Sequence, residues 1–256
     1  MEEKELVREL CGIGAIKFGE FTLKSGKKSP YYIDLRILPS HPNVLKKAGE
    51  VIGKLISEDS DKPDSLCGIP AAGLALATAV SLATGLPTFY TKKEPIVYRE
   101  ISKHLSSMLK VSEEDGGPTF DERAGLEEAI NVIESLGGLK THGIPRYVDG
   151  EFRDGSRIAL IDDLITTAES KLEARDLIKL DAQRRNLNVN IVSAYVLLDR
   201  EQGGKETLRK EGIELHSVAT IREAARWLLE TGDLSSQTYE IINSYTLEER
   251  KNMGLK

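Results

Sequence analysis

The sequence predicts an α/β fold, a mainly parallel sheet flanked by helices, and three observations lead there. Short apolar runs at 65–69, 87–91, 157–161, 190–198 and 214–219 are bounded by turn residues and alternate with segments of helical period, the pattern of βαβ units. The run Ile158, Ala159, Leu160, Ile161 is unbroken by polar residues, as a strand covered on both faces requires. Hydrophobic residues make up 40% and charged residues 30% of 256 positions, ordinary for a chain that buries a substantial core.

The helical periods fit between the strand runs in order. The segment 43–56 precedes the first run, 73–83 joins the first two, 170–180 joins 157–161 to 190–198, and 222–229 follows the last. The irregular part is 95–139, where the loop-like EEDGGP at 113–118 is followed by Leu126, Ala129, Ile130, Ile133 and Leu136 at helical spacing. Connections in compact α/β units run about 2–6 residues. This stretch therefore reads as a helical subdomain inserted into a single domain spanning 1–256.

Bulk properties narrow the function. With 35 basic against 41 acidic residues the net charge is -6, so no global positive field attracts a nucleic-acid backbone. The two cysteines, Cys11 and Cys67, stand far apart and without zinc-ligand spacing, which argues against a disulfide framework or a metal knuckle and fits a reducing cytoplasm. The N-terminus MEEKELVREL mixes charges with apolar residues, and no run of about 18 apolar residues occurs. Neither secretion nor membrane insertion is expected.

The chemistry concentrates in 157–170, RIALIDDLITTAES. Asp162 and Asp163 follow the apolar run where a strand would leave the sheet, and the helix formers KLEARDLIKL begin at Lys171. The turn between them, Thr166, Thr167, Ala168, Glu169 and Ser170, sets backbone N–H groups and three hydroxyls at a helix N-terminus, where the peptide dipoles favour a phosphate. Carboxylates repel a phosphate, so the acidic pair needs another partner. Sugar hydroxyls, and positive charge developing on a ribose ring, supply one. The bland reading is that the pair caps a helix and the turn is an ordinary one.

With its neighbouring stretches added, the sequence resembles the type I phosphoribosyltransferases, and within them the branch acting on orotate. DDLITTAES at 162–170 is similar to the motif by which that superfamily holds phosphoribosyl diphosphate (PRPP). FGEFTLKSGKKSPYY at 18–32, GIPAAGLALATA at 68–79 and LLDR at 197–200 are similar to the orotate branch. The likeness covers 1–94 and 138–256. It implies a type I phosphoribosyltransferase-like sheet with an N-terminal hood at 1–40, and transfer of phosphoribose from PRPP to orotate in pyrimidine (UMP) synthesis. Mg2+ would be held mainly by PRPP oxygens and water, and a homodimer would share its active sites.

By the same resemblance Lys24 contacts PRPP, Lys92 and Lys93 reach phosphates, and Tyr31 and Tyr32 lie against the pyrimidine. Thr166 and Arg200 contact orotate, whose carboxylate suits an arginine fork. Lys140 and His142, in KTHG, belong to a mobile loop that stabilises departing pyrophosphate, beside the catalytic Asp162 and Asp163. Read without the resemblance, Lys17, Lys24, Lys27 and Lys28 could equally be a solvated surface, the tyrosine pair core, and Arg200 a surface or capping residue.

Some features depart from the family. The stretch 95–139 separates TKKE from KTHG, and Lys103 with His104 inside it forms a rival basic pair. Ala168 and Glu169 stand where small residues, often glycine, are usual, and Ala71 and Ala72 where some members carry a basic residue. A PRPP-binding protein without catalysis, or a transferase for another base, are the alternative readings. Thr166 with Arg200 and the stretch 18–32 favour orotate.

Overall fold

The structure, a computed structural model, describes residues 2–22, 26–92, 104–137 and 147–255. The chain divides into two compact units, Met1–Thr91 with Gly150–Lys256, and Lys92–Asp149. In the larger unit β3 (Ser65–Gly68), β4 (Thr88–Thr91), β6 (Ser156–Ile165), β7 (Val189–Asp199) and β8 (Glu214–Thr220) form a parallel sheet in the order β4-β3-β6-β7-β8. Every residue of β7 from Ile191 to Asp199 is buried, the two-sided cover that continuous apolar runs require.

One side of the core is built on Ala159, Ile161, Tyr195 and Leu197 of the sheet. It takes in Leu6, Val7 and Leu10 of α1 (Glu2–Gly12), Ile52 and Ile56 of α2 (Pro42–Glu58), Leu76 and Val80 of α3 (Ala72–Thr84), and Ala224 and Leu228 of α7 (Ile221–Glu230). Helices α2 and α3 touch backbone to backbone: a Cβ on Gly49 would lie 2.6 Å from the Ala79 carbonyl carbon. The intervening strand residues Ile158, Leu160, Ala194 and Val196 are buried too, as are Ala174 and Ile178 of α5 (Glu169–Arg184) and Leu208 of α6 (Gly204–Lys210). The α/β fold with a mainly parallel, helix-flanked sheet is the one the sequence predicts.

Four expected helices and five expected strands are present with ends shifted by a few residues, and several further elements appear. An antiparallel hairpin joins β1 (Ile16–Thr22) to β2 (Lys28–Ile33), with its register broken between Phe18 and Phe21. Helix α8 (Ser236–Asn252) packs on β2 and α7. Strand β6 also runs past the acidic pair instead of ending before it. Asp162, Leu164 and Ile165 stay in register with Val196, Leu198 and Asp199 of β7, whereas β3 stops at Gly68 opposite Ile161.

In the smaller unit a helical turn at 104–108 is followed by a 3-10 turn, Glu113–Asp115, then α4 (Phe120–Gly137) and the two-residue β5 (Val148–Asp149). Helix α4 contains the predicted apolar stripe. Arg123 fastens its first turn to the preceding loop through the carbonyls of Leu109 (2.7 Å), Val111 (2.6 Å) and Pro118 (3.1 Å).

Candidate active site

The acidic pair occupies the carboxyl end of the sheet, where β6 has outrun β3 but still bonds β7, a position at which α/β sheets bind ligands. Gly73 lets α3 approach this edge. A Cβ there would lie 2.4 Å from the Ile161 carbonyl oxygen and 3.1 Å from Asp162 Cα.

The two carboxylates have different surroundings. Asp162 is buried, its Oδ1 accepting the Asp163 N–H at 2.9 Å and its Oδ2 lying 2.6 Å from Lys171 Nζ. Lys171 is only 3% exposed and also donates to the Leu164 carbonyl (2.5 Å) and Ser170 Oγ (3.4 Å). Asp163 is half-buried and accepts the Leu164 N–H on Oδ1 at 2.8 Å. Burial, then the charge of Asp162 and a hydrogen bond with it, push the Asp163 carboxyl up to about 7, against the opposing pull of the Leu164 N–H and Lys171.

Neither carboxylate caps α5. The N-cap is Ala168, in the left-handed region at φ 74°, ψ 4°, and no side-chain cap closes that helix end. Thr166 is half-buried, while Thr167, Glu169 and Ser170 are exposed. This is an open helix N-terminus with hydroxyls around it, and exposure lets the Glu169 side chain stay in solvent.

The loop after β7 packs against this turn. The Arg200 N–H bonds the Ile165 carbonyl at 3.0 Å, and a Cβ on Gly204 would lie 2.5 Å from the Thr166 carbonyl oxygen. Thr166 and Arg200 are thereby brought to one place. The Arg200 guanidinium lies over the Tyr31 ring, and its Nε is buried with no hydrogen-bond partner among the described residues.

Tyr31 and Tyr32 do not come together. Adjacent residues of β2 face opposite ways. Tyr31 is 1% exposed and edge-on to Tyr245 at 5.9 Å, whereas Tyr32 is 39% exposed beside Phe21. Lys27 is paired with Glu249 and Lys28 with Thr22 Oγ1. Lys92, in the smaller unit, pairs with Asp149 at 2.8 Å. Lys24, Lys93, Lys140, His142 and the rival Lys103 lie outside the described residues.

Sequence reasoning missed Lys171, Arg36 and Tyr245. Lys171 sits in a run of helix formers, where nothing distinguishes a buried ammonium from a solvated one. Arg36, held chiefly by Asp34 at 2.7 and 2.9 Å, also feels the charges of Tyr32 and Asp163.

No family model matches the chain. The orotate phosphoribosyltransferase of Cenarchaeum symbiosum is 31% identical over 223 residues, covering 86% of either chain. The chain belongs to the orotate phosphoribosyltransferase family. A solved orotate phosphoribosyltransferase from Aeropyrum pernix shares the fold, with TM-score 0.59 and 23% identity, over 90% of this chain and 99% of that one. Bovine uridine 5'-monophosphate synthase is 27% identical over 243 residues, 95% of this chain but 40% of that longer protein. As an orotate phosphoribosyltransferase-family site, the carboxyl end of the sheet presents two halves. One is the acidic pair with the open turn at 162–170, and the other is Arg200, whose side chain bonds Tyr31 while its Nε has no partner among the described residues.

Proposed function

We propose that the chain transfers the phosphoribosyl group of PRPP to orotate, forming orotidine 5'-monophosphate and pyrophosphate in UMP synthesis. The observation that carries the choice of base is Arg200. A buried guanidinium N–H without a partner is costly unless a ligand satisfies it, and a planar carboxylate matches an arginine fork. Orotate carries one.

The 5'-phosphate takes the open N-terminus of α5 and the hydroxyls of Thr166, Thr167 and Ser170. Asp163 accepts hydrogen bonds from the ribose hydroxyls, and the acidic pair favours positive charge on the ring as the C1–oxygen bond breaks. The bonding electrons leave on pyrophosphate, and a ring nitrogen of orotate takes C1 as its N–H proton passes to pyrophosphate or solvent. Lys140 and His142 are assigned to the leaving group, and a closed loop keeps water from PRPP. Lys24, Lys92 and Lys93 are assigned to phosphate oxygens.

Mg2+ travels with PRPP as part of the substrate. Diphosphate oxygens and water would hold most of the ion's coordination, as suits a cation that keeps much of its hydration. The free thiols of Cys11 and Cys67 suit a reducing cytoplasm.

The test follows orotate absorbance after adding protein, PRPP and Mg2+. Loss of orotate signal with release of pyrophosphate is expected; an unchanged signal with PRPP binding intact would sink the catalytic reading. A homodimer sharing its sites is part of the same proposal. Mixing Lys140→Ala protein with Asp163→Asn protein should then recover activity that neither has alone.

A further inference from the structure

Lys171 is oddly placed for a residue without a task. It lies in the first turn of α5, where the helix dipole disfavours a cation, and it is 3% exposed, where an ammonium is tolerated only when paired. Its side chain runs back toward the helix N-terminus, the direction helical side chains take, and meets β6. There its three N–H groups find three acceptors: Asp162 Oδ2, the Leu164 carbonyl and Ser170 Oγ. Asp162 is thereby held on both oxygens, because Oδ1 already accepts the Asp163 N–H. Asp163 accepts the Leu164 N–H at Oδ1 and, when protonated, hydrogen-bonds Asp162.

We propose that Lys171 is a positioning residue of the ribose site: it binds Asp162 as an internal brace and leaves Asp163 alone to receive the ribose hydroxyls. Two neighbouring carboxylates otherwise tend to share a proton, and a protonated Asp163 accepts hydrogen bonds less well. The ammonium opposes that sharing, since its charge acts on Asp163 as well as on Asp162. The inference rests on the ribose-phosphate reading of 162–170 and is indifferent to which base the enzyme takes.

Calorimetric binding of Mg2+ with PRPP tests it in the full chain. Lys171→Met should weaken binding about fivefold at pH 7, the effect of raising an Asp163 pKa near 7 by about one unit. The deficit should nearly vanish at pH 9, where Asp163 is ionised in both proteins; a merely structural lesion would not recover with pH. Asp162→Asn/Lys171→Met, which carries neither charge, should bind with an apparent pKa no higher than that of the unaltered protein, and it decides the matter alone if Lys171→Met does not fold. Binding by Lys171→Met equal to the unaltered protein at pH 7, or a double variant whose apparent pKa for binding is raised by a full unit, overturns the inference. Failure of the unaltered protein to bind PRPP overturns instead the reading of 162–170 on which it stands.

Discussion

Arg200 lies over the ring of Tyr31, its guanidinium carbon 5.4 Å from the ring centroid. The contact is the join between two stretches far apart in sequence, the strand β2 and the loop after β7. Tyr31 is itself backed by Tyr245, so the arginine rests on a packed aromatic floor and is pre-oriented before any ligand arrives.

That arrangement sets the first prediction. Arg200→Ala should raise the KM for orotate about 100-fold, or about 2.7 kcal/mol, while PRPP binding changes little. Arg200→Lys should recover only a small part, because an ammonium neither forks onto a carboxylate nor stacks as a guanidinium does. Steady-state kinetics with orotate varied at saturating PRPP distinguishes the outcomes. Equal losses toward both substrates would place Arg200 elsewhere in the mechanism.

Asp163 gives a pH dependence with two opposite signs. Its carboxyl is raised from the usual range to about 7 by burial and then by the charge of Asp162, with Lys171 and Arg36 the cations that oppose the rise. A raised folded-state pKa means that its contribution to stability is fully present below about pH 4 and is lost as pH rises through 7. The free protein should therefore lose stability to urea between pH 5 and 8. PRPP affinity and kcat/KM should rise over the same interval with an apparent pKa near 7, because the ribose hydroxyls need the ionised form. Asp163→Asn should flatten the stability profile and lower kcat/KM steeply. Parallel rather than opposed trends would refute the assignment.

The sequence made the parallel sheet legible because the strands at 157–161 and 190–198 are apolar on both faces, as strands covered by helices on either side must be. The hairpin at 16–33 was less visible. Its residues alternate between the core and water, and its lysines read as surface. Within the site, the turn at 162–170 was readable as a phosphate holder because hydroxyls and a helix start fall together in a short span. The split between Asp162 and Asp163 was not, since it depends on a lysine nine residues beyond Asp162 whose burial is decided by the packing of α5 on β6. The separation of Tyr31 from Tyr32 follows from strand alternation, but only once the stretch is known to be a strand.

Ala168 carries a backbone penalty that a single substitution removes. At φ 74° it occupies the left-handed region, which is strained by about 1 kcal/mol for a residue with a Cβ and open to glycine. Ala168→Gly should raise Tm by about 2–4 °C. Differential scanning calorimetry checks it, and a fall in Tm would mean that the entropy lost by glycine outweighs the strain relieved.

The residue after Arg200 shows how that arginine is held. Glu201 is buried at 6% exposure with φ 57°, its N–H bonded to Asp199 Oδ1 at 2.7 Å. Arg222 grips both of its carboxylate oxygens, at 2.6, 2.9 and 3.0 Å. A buried carboxylate without its cation is strongly destabilising, and the partial exposure of Arg222 tempers the loss to about 2 kcal/mol. Arg222→Ala should thus lower Tm by about 4–8 °C. It should also raise the KM for orotate more than that for PRPP, because the loop it releases carries Arg200 but not the phosphate turn. Glu201→Gln/Arg222→Met, which leaves no lone charge, should restore much of the stability. Without the two-oxygen clamp it should restore less of the orotate affinity, and full recovery of both would show that the pair serves folding alone.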